Sequence, residues 1–282
     1  MFVDSHCHLS FPELAARLPQ IRAEMAAAQV DRALCICTTL EEFDAVHALA
    51  LAHDNFWASA GVHPDNEGVR EPSVDGLLAL AALPRVVAIG ETGLDYFRLN
   101  GRSRADMAWQ RERFRVHIGA ARRSGLPLVI HTRAASDDTL SVLREAGFAA
   151  EQHQGAALPA ATGVFHCFTE TMAVARAALE LGFQISFSGI LTFRNAADLR
   201  EVARFVPLDR MLIETDSPYL APMPFRGKTN TPALVPWVAK QLAELKGVPV
   251  EQIAQATSAN FERLFNRVTA TGASHENLEK QL

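Results

Sequence analysis

The sequence contains no apolar run approaching the ~18 residues needed to cross a bilayer. Its opening, Met1-Phe2-Val3-Asp4, has neither a basic n-region nor an apolar stretch of secretory length. The expectation is a soluble, cytoplasmic protein with no membrane partner. Cysteine is scarce: Cys7, Cys35, Cys37 and Cys167 lie in or beside apolar runs and form no C-x-x-C pair. Disulfides and a zinc-thiolate site are therefore not expected, and the thiols should be reduced and mostly buried. There is no excess of positive charge, since 27 Lys and Arg face 32 Asp and Glu for a net charge of -5. That balance counts against a protein coated in nucleic acid. No G-x-G-x-x-G turn follows the first apolar run, and no linker-like stretch divides the chain. With 49% hydrophobic and 21% charged residues, disorder is excluded.

What is present is an alternation. Short runs rich in Val, Ile, Phe and Cys are each followed by an amphipathic stretch of helical length, the pattern of βαβ units. Strands are expected over 2–5, 33–38, 56–62, 86–90, 128–131, 163–166, 184–188 and 211–214. Helices are expected over 14–28, 41–53, 74–82, 104–124, 136–146, 171–181 and 195–205, with two more after Asn230. Eight strands alternating with helices fit a closed barrel or a long doubly wound sheet. The missing dinucleotide fingerprint and the length, close to the ~250 residues of an α/β barrel, favour a TIM-like (β/α)8 barrel. That single domain would occupy residues 1–268, with a surface insertion over 149–162 and a polar C-terminal tail over 269–282.

Five of the ten histidines, His6, His8, His63, His131 and His166, fall at or just beyond the C-terminal ends of these strands. In a (β/α)8 barrel, side chains at those ends converge on one mouth, where catalysis takes place. His6-Cys7-His8 has the i, i+2 spacing that sets two imidazoles on one side of an extended segment. Glu91 closes strand four and Asp216 follows strand eight, and a buried acid there needs a cation or a hydrogen-bond donor. Four histidines and two carboxylates exceed one tetrahedral zinc with an open position, but suffice for two divalent cations bridged by a carboxylate. Zn, Mn, Fe, Ni and Mg all suit such donors.

Charge is uneven. Eight arginines against Asp106 and Glu112 lie between Arg98 and Arg123. Such a run is ordinarily a solvated helix face with its lead-in loop. Arg98, Arg133, Arg226 and Lys228 fall just after strands or in mouth-side loops. Each could be a surface ion pair, yet together they favour an anionic substrate bound through bidentate contacts.

The motifs Val-Asp-Ser-His-Cys-His-Leu (3–9), Gly-Val-His-Pro (61–64), Gly-Glu-Thr-Gly-Leu-Asp-Tyr (90–96), Val-Ile-His-Thr-Arg (129–133), Phe-His-Cys-Phe-Thr-Glu (165–170), Ile-Ser-Phe-Ser-Gly (185–189), Thr-Phe-Arg-Asn-Ala (192–196), Glu-Thr-Asp-Ser-Pro-Tyr-Leu-Ala-Pro (214–222) and Arg-Gly-Lys (226–228) occur in order along nearly the whole chain. In this the sequence resembles the TatD family of metal-dependent hydrolases, and within it the bacterial YcfH-type branch. The resemblance implies a metallo-dependent-hydrolase barrel with Glu91 bridging two ions, one held by His6, His8 and Asp216 and the other by His131 and His166. With Glu91 on strand four and no nearby lysine, no carboxylated lysine is expected. The implied activity is a deoxyribonuclease of 3'-5' exonuclease type working on single-stranded DNA ends. A D-aminoacyl-tRNA deacylase and a non-catalytic metal-binding scaffold are the alternatives, and the chain would be a monomer or weak homo-oligomer. In this reading Asp216 is both ligand and general base, and His63 contacts a substrate phosphate or the leaving group. Asp95 either orients a histidine or caps the following loop. Two departures from the family pattern stand out: Thr231 in the Asn-x-Pro step, where members often carry Glu, and the length of 149–162.

Overall fold

The computed structural model describes residues 1–148 and 162–270, without the side chains of 269 and 270. Eight strands, β1 (Phe2–Cys7), β2 (Val30–Cys35), β3 (Phe56–Ala60), β4 (Val86–Asp95), β5 (Leu128–Arg133), β6 (Gly163–Phe165), β7 (Gln184–Phe187) and β8 (Met211–Ile213), form one parallel sheet in chain order. Helices α1 (Pro12–Ala15), α2 (Leu18–Ala27), α3 (Phe43–Ala52), α4 (Val74–Ala81), α5 (Ala108–Ser124), α6 (Ser136–Glu145), α7 (Met172–Glu180) and α8 (Ala197–Phe205) fill the crossovers. After β8 come α9 (Val235–Lys246), α10 (Val250–Leu264) and α11 (Arg267–Ala270). Strands such as β3 and β4 are buried along their whole length because helices cover the outside and side chains fill the inside. Backbone bonds join the first and last strands: Asp216 N–H donates to the His6 carbonyl at 3.0 Å and His8 N–H to the Ser217 carbonyl at 2.9 Å. This is the (β/α)8 barrel expected from the alternation.

A buried cluster of Val3, Leu34, Trp57, Val87, Val129, Val164 and Leu212 packs against Phe261 of α10 and Phe265, so α10 plugs the lower end of the barrel and the site opens at the other. No helix among the described residues is long and apolar enough to cross a membrane.

Several boundaries differ from expectation. The stretch expected as one helix over 14–28 is two, α1 and α2, broken at Arg17. Pro19 falls at the start of α2, where its missing N–H costs no helical bond. Strand β4 does not end at Gly90 but runs to Asp95. The register slips between Ile89 and Thr92 on β4, and between Asp4 and Cys7 on β1. Such slips re-aim side chains beside active sites, and Glu91 and His6 both fall in them. The insertion expected over 149–162, apart from Thr162, and the tail beyond Ala270 lie outside the described residues.

Candidate metal centre

The barrel mouth gathers the five strand-end histidines around two carboxylates, four of them on Glu91 and His8 on Asp216. Glu91, 3% exposed, sits on β4 and turns its two oxygens to different neighbours. Oε2 faces His6 Nε2 at 3.3 Å, whereas Oε1 faces His166 Nε2 at 2.8 Å, His131 Nδ1 at 3.3 Å and His63 Nε2 at 3.4 Å. Asp216 closes the other side, its Oδ1 lying 3.3 Å from His8 Nε2 and 3.5 Å from His6 Nε2. Asp216 holds a left-handed backbone at φ 55°, which Asp tolerates better than most residues. Three groups of potential ligand atoms result: His6, His8 and Asp216; His6, Glu91 and His166; and His63, Glu91 and His131.

Hydrogen bonds on the far side of each ring decide which of these histidines can offer a lone pair. A neutral imidazole has one N–H and one acceptor nitrogen. His131 donates Nε2–H to Asp95 Oδ2 at 3.1 Å, which leaves the Nδ1 lone pair facing Glu91. His166 donates Nδ1–H to Glu214 Oε1 at 3.2 Å, which leaves Nε2 free. A carboxylate behind a ligating imidazole is the usual support of a metal site. His63 is wired the other way. The Asp65 N–H donates to its Nδ1 at 3.1 Å, so its proton sits on Nε2 and points at Glu91. His63 therefore presents an N–H, not a ligand atom, although spatial grouping alone places it with Glu91 and His131.

Burial lowers His131 and His166, but the Asp95 hydrogen bond on the first and the Glu91 charge on the second outweigh it and raise both, so these rings hold their second proton until a cation takes its place. Burial raises the carboxyl of Glu91, but the charge of His166 and the His131 hydrogen bond outweigh it and hold it well below its ordinary range. Asp216 is likewise raised by burial, but the hydrogen bond from His8 and the charges of His6, His8 and His166 hold it low. Burial pushes His63 down to about 3, so it is neutral at pH 7. Nitrogens of His6, His8 and His166 are buried without a hydrogen-bond partner, among them both ring nitrogens of His6. The orphaned Nε2 atoms of His6 and His166, facing the ionised carboxylates of Glu91 and Asp216, form a donor set that fits divalent cations.

The cavity above this cluster has a volume of about 690 Å³ and is lined by His8, His63, Glu91, His131, His166 and Asp216 together with Arg98 and Arg133. Arg226 and Lys228 do not line it; Arg226 lies 4.6 Å over the Phe193 ring and Lys228 5.8 Å over Phe225. Most of the arginine run past Arg98 is engaged elsewhere. Arg102 pairs with Glu67, Arg111 with Asp138, Arg115 with Glu145 and Arg123 with Asp75. A cleft of similar volume, about 720 Å³, between β1, α9 and α10 contains none of the cluster residues.

Four supporting residues escaped the sequence reading. Glu214, just past the end of β8, accepts the Cys167 N–H at 2.7 Å as well as the His166 proton. Asp4, fully buried, accepts from Thr215 N–H at 2.9 Å and His6 N–H at 3.2 Å, tying the strands that carry His6 and Asp216. Burial pushes its carboxyl up to about 8, against the lowering hydrogen bonds from Thr215 and His6. On α5, Arg113 donates to the carbonyls of His63 at 2.9 Å and Asn66 at 2.8 Å, and His117 Nε2 accepts the Val62 N–H at 3.0 Å. A helical Arg and His four residues apart look like ordinary surface groups; only tertiary contact reveals that they hold the His63 segment. Asp95 does both of the things expected of it, since it orients His131 and also accepts the Phe97 N–H at 2.8 Å.

Comparison with known proteins agrees with this architecture. The TatD related DNase family matches residues 3–266. YcfH of Escherichia coli K12, named an uncharacterized metal-dependent hydrolase, is 47% identical over 268 residues, covering 94% of this chain and 95% of its own. The 3'-5' ssDNA/RNA exonuclease TatD of Citrobacter rodentium is 35% identical over 252 residues, covering 87% of this chain and 90% of its own. The crystal structure of YJJV, a TatD homologue from Escherichia coli K12, superposes with a TM-score of 0.83 at 30% identity, covering 94% of this chain and 98% of that one. The chain belongs to the TatD family.

Proposed function

We propose that the protein is a divalent-metal-dependent phosphodiesterase acting on nucleic acid, a deoxyribonuclease of 3'-5' exonuclease type. The observation that carries this reading is the opposite wiring of His131 and His166 against His63: two rings are fixed to give lone pairs beside Glu91, and one is fixed to give a proton. In this reading His6, His8 and Asp216 would hold one divalent cation, His131 and His166 a second, and Glu91 would serve both. Cations bound there supply Lewis acidity toward a phosphoryl oxygen and acidify water. Asp216, with 15% of its side chain open to the cavity, takes the proton of the attacking water. His63 donates Nε2–H to a phosphate oxygen, and the Arg113 and His117 contacts keep it there. Arg98 and Arg133 pair with the flanking phosphate charge from the cavity wall. The exonuclease named among the relatives supports nucleic acid as the substrate.

The test uses single-stranded DNA labelled at its 5' end, incubated with the protein and Mg2+ or Mn2+. A ladder shortening from the 3' end, abolished by chelator and by Asp216→Asn, is expected. Intact DNA together with release of amino acid from charged tRNA would replace this reading with a deacylase.

A further inference from the structure

Tyr219 and Phe97 are the aromatic members of the exposed large apolar side chains among the described residues, 54% and 57% open to solvent, while the other described aromatic rings are buried or half-buried. An exposed ring forfeits the stabilisation that burying it would bring. Tyr219 belongs to the cavity wall, and Phe97 meets that wall through Arg133. Tyr219 is edge-on to His8 with ring centres 6.5 Å apart, and Phe11 stacks on His8 at 4.8 Å. Phe97 lies beneath Arg133, whose guanidinium is 3.7 Å from the ring centre and lines the cavity. Tyr219 follows β8, beside β1, while the Phe97–Arg133 pair belongs to the ends of β4 and β5, four places around an eight-stranded barrel. The two aromatic surfaces therefore stand on opposite walls with the carboxylate cluster between them.

Each ring is anchored at its backbone. Tyr219 N–H donates to the Asp216 carbonyl at 2.9 Å, and its own carbonyl accepts Asn230 Nδ2 at 2.7 Å. Phe97 N–H donates to the Asp95 carboxylate. One hydrogen bond thus links each aromatic to an acid of the cluster.

We propose that Tyr219 and the Phe97–Arg133 pair are stacking platforms for the bases on either side of the scissile phosphate, so that the site selects single strands whose bases can be splayed apart. This rests on the phosphodiesterase reading of the same cavity. Unpaired bases offer an open π face to such rings in a sequence-tolerant way, whereas the faces of duplex bases are covered by their neighbours. Arg133 over Phe97, with Arg98 on the same wall, adds the charge that a polyanion needs.

The test compares the wild type with Tyr219→Ala, Tyr219→Phe and Phe97→Ala on a fluorescein-labelled oligothymidylate and on the same oligomer carrying base-free tetrahydrofuran units at its three 3'-terminal positions. KM is read with metal present, and Kd by anisotropy with chelator to stop turnover. Each alanine variant should raise KM and Kd on the thymidylate by about 5- to 150-fold, the range of one lost base–aromatic stack. Tyr219→Phe should match the wild type, and all four proteins should behave alike on the base-free end. Unchanged values for both alanine variants, or equal losses on the base-free end, overturn the platforms while leaving the phosphodiesterase intact. Base-dependent loss of binding in a protein that cuts no DNA retains the platforms and removes the phosphodiesterase.

Discussion

Asp95 accepts the Nε2 proton of His131 at 3.1 Å, so that only Nδ1 of that ring faces Glu91. Asp95→Asn keeps an oxygen for the Phe97 N–H but turns an amide toward His131. The ring must then accept at Nε2 and place its proton on Nδ1, facing the proposed cation. The affinity of chelator-stripped protein for Mn2+, measured by calorimetry, should fall about 10- to 100-fold, the usual effect of losing such a support. An unchanged affinity would mean that the proton on His131 is not set by Asp95.

The wiring of His63 separates it from the histidines it touches. His63→Gln should leave the manganese content per chain at the wild-type value and lower kcat/KM by about 10- to 150-fold, the loss of one hydrogen bond to a charged group. His131→Gln should lower the metal content itself. Elemental analysis of the two purified variants decides the matter: metal loss in the His63 variant alone reassigns it as a ligand.

His117 gives the fold an acid limit. Burial lowers it to about 4, while Nε2 must stay unprotonated to accept from Val62. A histidine depressed in the folded state takes up its proton more readily when unfolded. Its contribution is therefore complete above the unfolded value of 6.5 and is lost as pH falls from there toward 4. The wild type should lose about 3 kcal/mol more than His117→Gln between pH 7 and pH 4 in urea titrations. Parallel pH profiles for the two proteins would show that His117 is not the group responsible.

The barrel and the ring of histidines were legible in the sequence because both are periodic. Apolar runs mark the strands, and strand ends converge on one mouth wherever the loops go. Two kinds of information were not. Glu214, Asp4 and the Arg113–His117 pair act through partners 211, 55, 50 and 48 residues away, and no local spacing marks such contacts. Arg226 and Lys228 read as mouth-side cations because they follow β8, but each lies over an aromatic ring instead of the cavity. Strand β4 is expected to end at Gly90, yet both Gly90 and Gly93 lie within it.

Gly93 is in the strand because nothing larger fits. Its φ is +130°, and it pairs with His131, whose carbonyl oxygen occupies the space a Cβ would need. Gly93→Ala has to adopt a backbone that L residues avoid, at a cost on the order of 1–3 kcal/mol, and must also push the His131 carbonyl away. Gly68 is the control, with φ +72° and nothing within 4 Å of its added Cβ. Gly68→Ala should cost only the backbone term, about 1–2 kcal/mol. In urea titrations Gly93→Ala should lose clearly more than Gly68→Ala and should also bind Mn2+ more weakly, because the displaced backbone carries His131. Equal losses and unchanged metal affinity would show that β5 can give way at His131 without disturbing the ring that faces Glu91.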